Sequence, residues 1–122
     1  MSGIVGTSSS KSKVVGRSQD TAKAWVNMTA DTTVNDAFNV SSVSSSQTGD
    51  YTINFITPMR STNYAVSGLG KSADTSTNLA AFMQLPAGVT SPLTTTSARV
   101  QTMYDNETLR GCTTVTLIVF GE

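Results

Sequence analysis

The sequence predicts an all-β domain, an antiparallel β-sandwich of jelly-roll type behind an extended N-terminal arm, and three observations point there. Serine and threonine supply 17 and 20 of the 122 residues, and β-branched threonine suits a pleated, half-buried surface. Short apolar segments alternate with a period of two and are separated by clusters of Gly, Pro, Asn, Asp and Ser. No stretch sustains the longer apolar period of a helix, which excludes an α/β fold.

The first segment, residues 1–21, holds a serine run and only the apolar pairs Ile4-Val5 and Val14-Val15. It cannot build a core by itself. Lys11, Lys13, Arg17 and Lys23 against Asp20 give the first 23 residues a charge of +3, which leaves the rest at −3 in a chain of net charge zero. This composition reads either as a solvated tail or as an arm that orders on a neighbour. In the second case the apolar pairs would serve as anchors and opposite charges would guide the approach.

The domain, residues 22–122, opens on a strand at Ala22 to Ala30, in which Ala24, Val26 and Met28 share one face and Lys23, Trp25 and Asn27 the other. Trp25 is read as an anchor of the core or of an interface. Phe38 and Val40 alternate, and SSVSSSQTGD reads as turn-rich. Tyr51, Ile53 and Phe55 then form a strand that completes a hairpin around Gly49-Asp50. Pro58 ends it, and Tyr64, Val66 and Gly68 begin another, closed by a loop over residues 70–78. LAAFMQL, residues 79–85, is short enough between Asn78 and Pro86 to favour strand over helix. After a Pro/Thr loop, Ala98 to Tyr104 and Cys112 to Phe120 are expected to form a terminal hairpin. In the last strand Val115, Leu117 and Val119 lie on one face and Ile118 and Phe120 on the other. A strand apolar on both faces is covered on both, so a homo-oligomer is expected, with Trp25, Leu117, Ile118 and Phe120 at its interface.

Catalytic chemistry finds little support. Histidine is absent, which removes the commonest general base and metal ligand. Cys112 is the one cysteine, so neither an intrachain disulfide nor a Cys-based zinc site can form. It reads as a small buried side chain. Gly68-Leu69-Gly70-Lys71-Ser72 resembles the end of a phosphate-binding loop, but Ala65 stands where its first glycine is required, so a glycine-rich turn is expected. Asp31, Asp36, Asp50, Asp74, Asp105 and Glu107 are scattered over expected loops, where aspartate bonds its own backbone. Among Lys11, Lys13 and Arg17 no aromatic side chain is interleaved for base stacking. No enzyme activity, cofactor, metal, nucleic-acid partner or membrane insertion is expected. Neither a secretory signal nor an apolar span is read in the sequence, so the sequons at Asn27, Asn39 and Asn106 are taken as chance.

Several stretches resemble a module of tailed-bacteriophage virion proteins found in tail fibres and other exposed parts. They are SKVVGRSQDTAKAWVN at 12–27, FNVSSV and TGDYTINF within 38–55, NYAVSGLG at 63–70, and the closing VTLIVFG. The resemblance implies a virion structural role, a β-sandwich and a homotrimer assembled in the host cytoplasm. Such modules often end a much longer fibre chain, whereas this one is expected to stand by itself behind its arm. The expected function is therefore a tail-fibre or tail-tip subunit anchored to other virion proteins by Ile4, Val5, Lys11, Lys13, Val14, Val15 and Arg17. The alternatives are a capsid decoration protein and a carbohydrate- or receptor-binding module. In the last, Trp25, Tyr51 or Tyr64 would present a ring to a host-surface glycan, although all three read as core residues.

Overall fold

The computed structural model describes residues 21–72, 81–104 and 108–121. Eight strands follow in order: β1 Ala22–Met28, β2 Val34–Phe38, β3 Val40–Gln47, β4 Asp50–Phe55, β5 Ala65–Ser72, β6 Phe82–Gln84, β7 Ser97–Met103 and β8 Cys112–Phe120. They make two four-stranded sheets, β2-β1-β8-β5 and β3-β4-β7-β6, with every pair antiparallel. There is no helix among the described residues.

Alternation fixes the core between the sheets. Ala24, Val26 and Met28 of β1 and Val115, Leu117 and Val119 of β8 face Tyr51, Ile53 and Phe55 of β4 and Ala98 and Val100 of β7. Ile53 is fully buried, and burial of one such side chain stabilises by about 1.5–3 kcal/mol. Cys112 is also fully buried, and a Cβ on Gly70 would come within 2.7 Å of its sulfur. Burial pushes the thiol pKa up, as expected of a structural rather than a reactive cysteine.

Chain reversals are held by side chains bonding to backbone. At Asn39, φ is +54° and the chain crosses from β2 in one sheet to β3 in the other. The Asn39 amide donates to the carbonyls of Lys23 at 2.9 Å and Thr57 at 3.0 Å, and its oxygen accepts from Thr57 N–H at 2.7 Å. One asparagine thus ties β1, the crossover and the end of β4 together. Asp31 caps its own turn by accepting from the Thr29 hydroxyl and Thr33 N–H, which hold its carboxyl below the usual range.

Four sequence expectations change. The serine-rich stretch is not a turn but edge strand β3, whose serines face solvent because only β4 flanks it. Val34–Phe38 is a separate strand. Gly68–Ser72 lies within β5 rather than in a turn; a Cβ on Gly68 would meet the Met83 sulfur at 2.3 Å, so β6 closes over a bare backbone there. Finally, β7 and β8 do not form a hairpin: β7 pairs with β4 and β6, β8 with β1 and β5.

Candidate protein interface

The outer face of β2-β1-β8-β5 is assembled by the same alternation that fills the core. With Val26 and Leu117 turned inward, Trp25 and Ile118 turn outward and stand opposite each other. Phe38 of β2 is the partner of Trp25 on its other side, and Ser67 of β5 is the partner of Ile118. The next outward row runs Asp36, Asn27, Thr116, Leu69. Phe120 lies opposite Ala22 and Ala65 at one end.

Cross-strand aromatic and β-branched neighbours of this kind contribute roughly 0.2–1 kcal/mol each, yet much of the row stays open to water. Leu69 is 77% exposed, Phe38 54% and Phe120 39%. A shallow groove of about 440 Å³ runs between Trp25, Asn27, Ser67, Leu69, Thr116 and Ile118. β8 carries no charged side chain, and the charges on neighbouring strands, Lys23, Asp36 and Lys71, stand toward the margins. A contiguous apolar stripe with a polar rim is the usual mark of a binding surface.

Of the four residues expected at an interface, the structure brings Trp25, Ile118 and Phe120 onto this face. Leu117 does not belong there: it is 2% exposed and points into the sandwich, as its position between Thr116 and Ile118 requires. The face also gains Phe38 and Leu69. Phe38 was hidden because Val34–Phe38 lacks apolar alternation, and Leu69 because two glycines flank it.

The three aromatic residues divide. Tyr51 and Tyr64 are buried, as expected, whereas Trp25 is half-buried on the outer face and not in the core. The Tyr64 hydroxyl lies 2.8 Å from the Thr94 carbonyl and 2.9 Å from that of Ser97, so its proton is shared between them. Its ring meets Phe55 edge-on at 6.0 Å. Burial raises the pKa of Tyr51 and raises that of Tyr64 to about 12.

Asp50 is 1% exposed at the start of β4. Arg99 donates to both of its oxygens at 2.8 Å and Gln101 adds a third bond at 2.8 Å. The guanidinium holds the Asp50 carboxyl below its usual value of 3.8, and the carboxylate in turn raises the Arg99 pKa. The pair therefore spans β4 and β7 as a structural clamp. Among the described residues no three His, Cys, Asp or Glu side chains gather as a metal site, and no helix could cross a membrane.

Ile4, Val5, Lys11, Lys13, Val14, Val15 and Arg17 lie outside the described residues, as do Asp74, Asp105 and Glu107. Compared with protein-family models, with curated proteins and with solved structures, the chain finds no match.

Proposed function

We propose that this chain is a non-enzymatic structural subunit of a bacteriophage virion, a tail-fibre or tail-tip component. It trimerises through the outer face of β2-β1-β8-β5 and docks to other virion proteins through its N-terminal arm. The observation that carries the self-association is the Phe38–Trp25–Ile118 row, an apolar stripe on a sheet whose central strand β8 bears no charge. The virion setting is supported by the resemblance of the stretches at 12–27 and 38–55. The crossings of the two sheets support a shortened jelly roll: β8 lies between β1 and β5, and β7 between β4 and β6, with β2 and β3 added at one edge.

A capsid decoration protein would use the same face and arm, and copy number separates the two. Immunogold labelling of purified particles, with copies counted by quantitative mass spectrometry, is the test. Copies in the tens at the tail support the fibre reading, copies in the hundreds over the shell support decoration, and absence from particles overturns both. A carbohydrate-binding role is favoured by one feature, the Trp25 ring beside the polar groups of Asn27 and Thr116. A glycan array would support it if binding disappears in Trp25→Ala.

A further inference from the structure

The outer face of β2-β1-β8-β5 carries opposite charges at its two margins. β2 and β5 are the outermost strands of that sheet among the described residues. Asp36 stands on the β2 margin and Lys71 on the β5 margin, both exposed and both on the outward side. Between them the outward positions Asn27, Thr116 and Leu69 are uncharged. One Asp36 oxygen accepts from the Ala37 N–H at 2.9 Å. The ion pair found among the described residues joins Asp50 and Arg99, so among them Asp36 and Lys71 have no ion-pair partner. Three strand spacings, about 14 Å, separate the two margins, too far for these side chains to pair within one chain.

We propose that the partner at these margins is the next copy of the same chain, placed head-to-tail, with Asp36 of each copy paired to Lys71 of its neighbour. This arrangement rests on the self-association proposed above and gives it a direction.

A three-fold contact is heterologous, so one margin of the face must meet the other margin of the next copy. With the axis along the strands, each residue keeps its height when the copy is rotated. Asp36 is level with Leu69, since both belong to the row through Asn27 and Thr116. Lys71 lies two residues further along β5, an offset of about 7 Å that its flexible stem covers. Charge complementarity selects a second copy as the occupant: one negative margin, a neutral middle and one positive margin fit a rotated copy of the same surface. A reversed docking would set like charges together and is disfavoured. Lys23, the other charge near this face, lies two outward rows from Asp36 and bonds the Thr21 hydroxyl at 3.3 Å. Trp25 and Ile118, on the two middle strands, then lie nearest the axis.

Zero-length coupling of carboxylates to amines by a carbodiimide, applied to the parent chain, tests the pairing. Electrophoresis should show covalent dimers and trimers, and mass spectrometry of the trimer should find an Asp36–Lys71 amide. A parent chain that sediments as an oligomer without this cross-link overturns the pairing and leaves self-association standing. Coupling of the two residues that stops at covalent dimers means two faces stacked about a two-fold axis, which also overturns it. A monomeric parent chain removes the self-association itself, and the pairing with it. Charge reversal supplies a second measurement. Asp36→Lys or Lys71→Asp alone should weaken association about tenfold at low salt, and the combined variant Asp36→Lys/Lys71→Asp should regain the parent affinity. Both positions are exposed, so circular dichroism should be unchanged in all three, and no recovery in the combined variant contradicts the pairing.

Discussion

Asp50 and Arg99 are joined across β4 and β7 by two hydrogen bonds of 2.8 Å, with the carboxylate fully enclosed and the guanidinium reaching the surface. The pair makes the stability of the sandwich sensitive to acid. The Asp50 pKa is lowered in the folded state, so its contribution is complete above the unfolded value near 3.8 and is lost as pH falls through the lower folded value. Urea midpoints measured from neutral pH downward should drop below about pH 4. In Asp50→Asn the neutral-pH stability should be lower by about 2 kcal/mol and the acid drop shallower.

A second prediction concerns Asn39, which combines a left-handed backbone with three hydrogen bonds. Asn39→Gly keeps the backbone accessible and loses the bonds; Asn39→Val loses both. The expected costs are roughly 1–2 kcal/mol for glycine and at least 1 kcal/mol more for valine. Equal costs for the two, by chemical denaturation, would mean that the backbone conformation contributes nothing.

Gly49 has φ +79°, and a Cβ there would stand 2.7–2.8 Å from backbone atoms of Thr102 and Arg110. The same layer holds the Thr102 N–H bond to Gly49 and the Arg110 N–H bond to Thr102, at 2.8 and 2.9 Å. Gly49→Ala should therefore destabilise by about 2 kcal/mol or more, because backbone rather than a mobile side chain must give way.

At high pH the burial of Tyr51 and Tyr64 makes stability fall. The Tyr64 pKa is raised to about 12, so the folded form favours the neutral phenol. Its stabilisation is complete below pH 10 and is lost as pH rises from about 10 toward 12. An ultraviolet titration should show Tyr64 ionising only as the pH approaches about 12. Tyr64→Phe should cost about 1 kcal/mol at neutral pH and soften the alkaline loss.

These devices mark where the sequence was readable. β1, β4 and β8 were legible because Ala24-Val26-Met28, Tyr51-Ile53-Phe55 and Val115-Leu117-Val119 repeat every second residue and one face must be dry. β3 was not, since an edge strand needs little apolar content and its serines look like a turn. Strand partners were also out of reach: the order of the last two strands suggests a terminal hairpin, but only the packed sheets decide that β8 joins β1 and β5 rather than β7. Trp25 and Ile118 could be placed on the face opposite the core, while the addition of Phe38 required the register of β2. The Asp50–Arg99 clamp joins residues 49 apart, beyond any local pattern.

The proposed anchoring role predicts that removal of residues 1–17 leaves a folded, soluble oligomer that fails to incorporate into particles. Co-purification of the truncated chain with virions at the parent level would contradict it, and loss of folding would show that arm and body are not separable.

Self-association through the outer sheet face is the central claim, and sedimentation equilibrium at micromolar concentration tests it most directly. The parent chain should sediment as a trimer, and Ile118→Lys, placed at the centre of the stripe and outside the core, should sediment as a folded monomer with an unchanged circular dichroism spectrum. A parent chain that is monomeric at that concentration would contradict the account.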